Sequence, residues 1–326
     1  MAVEAAGHAG TRLCVFDTSI ATDNLGDHII MDAVWEVINS IFGPVNPTQR
    51  IATHLKMPRE TYRTLGQFDL GLVGGTNILK SHMFIRANWR LRFRDMFFLK
   101  NIVLLGVGWQ QYQGAVDIFS KVLFKSILSK KFMHSVRDEY TLDQMRGQVK
   151  SVIYTACPTL WSLTEQKCAA VPTTKARNAI VSLTYYRPDP ADAALIRLLQ
   201  EEYETVYFWS QQLQEDHDYL NSLGLRGQIP VITELDGYNR LLAAGDVDVI
   251  GTRLHGGVRA LQYGRRALIL TVDNRAAELA KKTNIPVVDR RDMGTIKSWI
   301  GSSPAVSISL PWDAINAWKG QFAGLG

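Results

Sequence analysis

Short apolar runs alternate with helix-patterned stretches along most of this chain. Four runs, 13–16, 70–73, 102–107 and 132–136, occupy the first half, and four more follow at 179–183, 205–209, 247–250 and 267–272. Brief runs without polar alternation suit parallel strands covered on both faces. The clearest helical pattern is 27–41, where Ile30, Val34, Val37, Ile38 and Ile41 recur on one face. This alternation predicts an α/β fold with right-handed crossovers. The polar stretch 166–177, interrupted by Pro172, precedes a fresh strand. It predicts an N-terminal Rossmann-like domain over 1–168 and a C-terminal one over 169–326, facing each other across a cleft. Trp312 and Trp318 fall at helical spacing and predict a C-terminal helical tail that packs on the body.

Composition narrows the class without naming it. A chain of 326 residues suits about two domains of ~150 residues each. With 46% hydrophobic and 21% charged residues, disorder is excluded as the main state. The net charge of +5 suits an anionic partner, and with no zinc-finger or RNA-recognition signature nucleic acid is set aside. Cys14, Cys157 and Cys168 form no CxxC pair, so neither a disulfide framework nor a metal site is predicted. Residues 1–12 carry no apolar signal core, and no run approaches the ~18 apolar residues of a membrane span. The expected location is the cytoplasm.

Candidate chemistry gathers at strand ends, where open α/β sheets bind ligands. Asn24-Leu25-Gly26-Asp27 follows the first strand and opens a helix. Gly26 permits a tight turn, and Asp27 falls near the strand ends; Asn24 or Asp27 acting only as a helix cap is the alternative. Gly74-Gly75-Thr76-Asn77 and Gly106-Val107-Gly108-Trp109 follow two further strands. Neither matches a dinucleotide or P-loop pattern. Arg137 closes the 132–136 strand and presents a fork suited to carboxylate or phosphate, unless Asp138 or Glu139 neutralises it. The most informative segment is Thr252-Arg253-Leu254-His255-Gly256-Gly257, between a strand and a helix. It offers a cation, a titratable imidazole and open amides at a helix start that favour an anion. A hydrogen-bonded structural histidine is the competing reading.

The blocks NLGD (24–27), SVRDEYT (135–141), CPTLW (157–161) and GTRLHGGVRAL (251–261), with the glycine-rich strand ends between them, resemble the polysaccharide pyruvyl transferase family. The resemblance runs from about residue 13 to about residue 290. It implies a two-domain fold like the B-type glycosyltransferases, and transfer of pyruvate from phosphoenolpyruvate to a sugar as a ketal. Asp27, Arg137, Arg253 and His255 match the family's donor-site positions, and Asn24, Gly26, Gly75, Thr76, Gly256 and Gly257 are expected to bind substrate with the two arginines. Thr76 stands where a third glycine is frequent, Arg275 where a lysine is usual, and Thr155-Ala156-Cys157 lacks the aspartate many members carry before the proline.

The implied chemistry needs no metal or other cofactor. One sugar hydroxyl adds to the enol carbon as the methylene is protonated; a second displaces phosphate. His255 is the candidate acid and Asp27 the candidate base, with the roles open to exchange. The acceptor would be a sugar or lipid-linked oligosaccharide of a cell-surface polysaccharide or glycolipid precursor. The alternative enzyme class is a B-type glycosyltransferase using a nucleotide sugar, and a non-enzymatic sugar- or lipid-binding module is a third reading. Finally, Arg86, Arg90 and Arg94 recur every four residues within 83–100, beside Trp89, Phe93 and Phe97. This spacing predicts a helix that would rest on the anionic inner face of the membrane, or else a core helix with a solvated side.

Overall fold

The computed structural model describes residues 11–325 other than 66, 86, 226 and 303–304. Arg86 and residues 1–10 therefore lie outside the described residues. The described residues form two compact units, one comprising 11–22, 30–158 and 310–325, the other 23–29 and 159–309.

All eight expected strands form. In the first unit the strands are β1 (Leu13–Asp17), β2 (Gln49–Ala52), β3 (Leu70–Gly74), β4 (Asn77–Leu79), β5 (Ile102–Leu105), β6 (Gly108–Trp109), β7 (His134–Val136) and β8 (Val152–Tyr154). A parallel sheet runs in the order β2-β1-β3-β5, with small parallel pairs β4-β6 and β7-β8 beside it. The first helix, α1 (Leu25–Phe42), is followed by α2 (Ile118–Ile127) and α3 (Glu139–Met145). β1, β3 and β5 are buried at every position, which explains their unbroken apolar runs. Cys14 is a core residue of β1, and burial pushes its thiol up to about 12. The tail forms the helix Trp312–Gly320, and buried Phe322 beyond it meets Phe42 and Phe132 within this unit.

The second unit holds β9 (Asn178–Ser182), β10 (Thr205–Trp209), β11 (Val231–Ile232), β12 (Val247–Gly251), β13 (Ala267–Thr271) and β14 (Val287–Asp289). They form one parallel sheet, ordered β11-β10-β9-β12-β13-β14. β11 and β14 escaped the periodicity because each is a short, half-buried flank of this sheet.

The 83–100 segment is not the helix that its spacing predicts. Ala87, Trp89 and Leu91 are buried while Asn88 and Arg90 are exposed, a period of two that belongs to extended backbone. Trp89 packs edge-on against Phe16 at 5.4 Å, so it is committed to the core. Only Phe93–Phe97 coils, into a 3₁₀ turn whose start is held by Asp95 accepting from the Arg92 amide at 2.6 Å. The four-residue arginine spacing therefore does not mark a helix face.

Candidate functional site

In the first unit, β3 and β5 deliver their glycine-rich ends toward Arg137. Gly75 turns with φ +72°, and a side chain there would collide with Ile30 of α1. Its neighbour Thr76 accepts a hydrogen bond from the Gly108 amide at 2.9 Å through its carbonyl. This registers Asn77 opposite Gly108. Any side chain at Gly108 would strike both the Asn77 carboxamide and the Arg137 guanidinium. Gly108 is thus the floor on which two buried polar side chains converge.

Arg137 is 2% exposed. Its Nε lies 3.4 Å from the Asp138 carboxylate, so the neutralising reading of the sequence is present in the structure. The pairing is incomplete, however. Asp138 also caps α3, accepting from the Thr141 amide at 2.7 Å and its hydroxyl at 2.6 Å. Arg137 Nη2 has no hydrogen-bond partner among the described residues, and neither has the oxygen or nitrogen of the Asn77 carboxamide. Buried polar atoms of this kind are costly unless something binds them. Asn77 was not singled out from sequence; the only signal was its place at the end of a Gly-Gly turn.

The second unit contains the remaining candidates. Asn24 Oδ1 accepts from the Gly26 amide at 3.1 Å and from Gln211 Nε2 at 2.9 Å. The expected local cap is therefore present, and Gln211 also accepts from the Leu25 amide through its carbonyl at 2.8 Å. A Cβ on Gly26 would meet the end of the Gln211 side chain at 2.5 Å, so a larger residue there would displace that carboxamide. Asp27 occupies the first turn of α1, half-buried.

The Arg253–Gly257 turn joins β12 to the helix Leu254–Gln262. Thr252 ties it to β9 through its amide to the Ser182 carbonyl at 2.8 Å and a hydroxyl contact with Thr184 at 2.8 Å. Arg253 donates from Nε to the Leu183 carbonyl at 2.9 Å and from Nη2 to the buried carboxylate of Asp216. Burial raises the Asp216 carboxyl above its ordinary value, and Arg253 offsets part of that rise. His255 is 9% exposed within the first turn. A Cβ on Gly256 would lie 2.5 Å from the Trp209 ring, and a side chain at Gly257 would overlap Ile269. The two glycines therefore let the helix settle on the sheet, besides presenting amides at its start. Trp209 stacks on Tyr238 at 3.9 Å, and the Tyr238 hydroxyl donates to the Gly256 carbonyl at 2.9 Å. Sequence reasoning missed this support because Asp216, Trp209 and Tyr238 are distant in the chain and belong to no motif.

Arg275 donates through Nε to both oxygens of Asp273, at 3.0 and 2.8 Å, and through Nη2 to the Tyr186 hydroxyl at 2.9 Å. Arg253 lies over the Tyr186 ring at 5.5 Å. Tyr186 thus links the two strand-end arginines of this unit. Among the described residues, no group of three His, Cys, Asp or Glu side chains is placed to hold a metal ion.

Among curated proteins none matches the chain significantly. Among solved structures, the chain is similar to the UDP-GlcNAc 2-epimerase of Neisseria meningitidis bound to UDP-GlcNAc. That likeness has 13% identity, 95% of this chain and 93% of that one covered, and a TM-score of 0.47. Two structures of the wall teichoic acid polymerase TagF follow. They have 10% and 7% identity, 98% and 97% of this chain and 84% and 83% of theirs covered, and TM-scores of 0.43 and 0.42. The sequence model described as polysaccharide pyruvyl transferase matches residues 24–274. That span takes in the Asp27, Arg137 and His255 segments together, and the chain belongs to the polysaccharide pyruvyl transferase family.

Proposed function

We propose that this family member transfers pyruvate from phosphoenolpyruvate to two hydroxyls of one sugar, forming a ketal. The acceptor is a sugar or lipid-linked oligosaccharide of a cell-surface polysaccharide or glycolipid precursor. The observation that carries the donor is the Arg137–Asn77 pair: a buried guanidinium nitrogen and a buried carboxamide, both without partners among the described residues, over a glycine. A carboxylate or phosphate oxygen accepts from the first, and an anion with further oxygens accepts from Asn77 Nδ2 as well. Phosphoenolpyruvate carries both anionic groups.

The first acceptor hydroxyl forms its C–O bond at the enol carbon while the methylene carbon takes a proton. The second hydroxyl attacks the same carbon, the bond to the phosphate oxygen breaks, and phosphate leaves, with the proton of that hydroxyl passing to the group that first gave one. One group must give a proton and another must take one. His255 and Asp27 are assigned these tasks, His255 as the acid. Arg253 is assigned to hold the turn that carries His255, because its fork is already engaged by Leu183 and Asp216.

Titration calorimetry with phosphoenolpyruvate tests the donor, with wild type binding and Arg137→Gln binding at least about tenfold more weakly. Melting curves with phosphoenolpyruvate and a panel of nucleotide sugars separate this reading from a B-type glycosyltransferase. Only the ligand bound by the folded protein raises the midpoint. Stabilisation by a nucleotide sugar, with none by phosphoenolpyruvate, overturns the proposal.

A further inference from the structure

The first unit exposes large apolar side chains on two neighbouring elements. Ile85, Phe93 and Phe97 lie in the 83–100 segment, and Ile118, Phe119 and Val122 on α2; each is 44–65% exposed. α2 packs on the Phe93–Phe97 turn. Its start is tied to the beginning of the segment, where the Met83 amide donates to Ser120 Oγ at 2.9 Å and the His82 amide to the Asp117 carboxylate at 2.5 Å. Phe93 meets Phe84 at 6.0 Å and Phe97 at 5.9 Å. Soluble monomers rarely expose a contiguous apolar patch above a few hundred Å². Three phenylalanines of about 150–250 Å² each, all more than half exposed, approach that figure unaided.

The stretch of sequence that carries these side chains has a one-sided charge. Residues 84–131 contain nine Lys or Arg and two Asp, a net +7 against +5 for the whole chain; one of the nine, Arg86, lies outside the described residues. Both carboxylates are engaged locally. Asp95 is fully buried and accepts from Arg92, and Asp117 caps α2. Arg90, Lys100 and Lys125 are exposed. The remainder of the chain is therefore slightly acidic, and the basic excess is concentrated where the apolar side chains emerge.

We infer that Ile85, Phe93, Phe97, Ile118, Phe119 and Val122, together with the exposed Arg90, Lys100 and Lys125 of the same stretch, form a docking surface for an anionic lipid bilayer. The apolar side chains enter the interface while the cations meet headgroup phosphates. A second copy of this chain fits poorly, because a two-fold contact would set this excess of positive charge against itself. A nucleic acid would satisfy the cations but leave Ile85, Ile118 and Val122 in water. The surface is read from the first unit alone and does not depend on the identity of the donor.

The test is co-sedimentation of the full chain with phosphatidylcholine vesicles, with and without phosphatidylglycerol, at low and high salt. Binding is expected only when phosphatidylglycerol is present, and it should weaken as salt rises. Phe97→Ser combined with Phe119→Ser, and separately Arg90→Glu combined with Lys125→Glu, should each reduce binding at least about tenfold. Phosphoenolpyruvate affinity and the melting midpoint should stay unchanged in both pairs. Equal binding to neutral vesicles, no binding to either, or a loss in only one of the two pairs overturns the inference. Self-association abolished by the phenylalanine pair, without vesicle binding, overturns it in favour of a second copy.

Discussion

Two arginines end short buried strands, one in each unit, and their surroundings differ. Arg253 is held within its own unit: a backbone carbonyl and a buried carboxylate accept from Nε and Nη2, and an aromatic face lies against its guanidinium. Arg137 is equally buried, yet it shares its carboxylate with a helix cap and, among the described residues, leaves a nitrogen without a partner beside an amide in the same condition. A buried charge that is fully matched supports shape, whereas one that is half matched is arranged for something that arrives later. The sequence presents both as strand-end arginines, and only their partners tell them apart.

The largest expected effect strikes the matched arginine. Asp216→Ala leaves Arg253 buried without its carboxylate and should cost about 3–5 kcal/mol of stability by denaturant titration. A loss below about 1 kcal/mol would mean that Arg253 is not held by this pair, and the contrast with Arg137 would fail.

Acid separates the two regions next. His134 begins β7, the strand that ends at Arg137, and is buried at 0% exposure. The Leu104 amide donates to its Nδ1 at 3.3 Å, so its Nε2 donates to the Ser129 carbonyl at 2.9 Å and the ring is neutral. Burial lowers its pKa to about 4. The unfolded chain therefore binds this proton more readily than the folded one. The stability it contributes is complete above about pH 6.5 and is lost as pH falls toward 4, about 3 kcal/mol in all. Hydrogen exchange at pH 4.5 should show β7 and β5 losing protection before β9 and β12. His134→Gln should flatten that dependence, and an unchanged acid slope in this variant would remove His134 as its cause.

Much of this was legible beforehand. Unbroken apolar runs announce strands that are buried on both faces, so every expected strand formed. The 83–100 segment misled because arginines at every fourth position coincide with a period of two in the residues that are buried, and Trp89 settles which period is real. The glycines of the His255 turn carried two meanings, open amides and close packing, and only the positions of Trp209 and Ile269 reveal the second. Asp216 was illegible because ion-pair partners brought together by a sheet have no sequence spacing to betray them.

Arg137→Gln should invert the pattern of the Asp216 variant. Removing a charge-assisted contact costs about 1.5–3 kcal/mol of donor affinity, while the melting midpoint should change little because Asp138 keeps its bonds to Thr141. Calorimetry and thermal unfolding on the same preparation check both halves. Equal loss in stability and affinity would place Arg137 in architecture alongside Arg253.

The smallest effect is the most discriminating, because its sign is unusual. Asn77 buries a carboxamide whose oxygen and nitrogen lack partners among the described residues. Its removal from the free protein therefore breaks no side-chain hydrogen bond, and an apolar residue of similar shape avoids the desolvation of the amide. Asn77→Leu should leave stability unchanged or slightly higher in denaturant titration. Its backbone is unaffected by the change: the carbonyl keeps the bond it accepts from Asn88 Nδ2 at 2.8 Å. Donor affinity should nevertheless fall, by about 0.5–1.5 kcal/mol for a neutral hydrogen bond. Combined with Arg137→Gln, the two losses should be less than additive if the proposed anion meets both side chains, since both lie over Gly108. A destabilised Asn77→Leu with undiminished donor affinity would show that the carboxamide serves the fold, and that the unpartnered atoms over Gly108 do not mark a ligand.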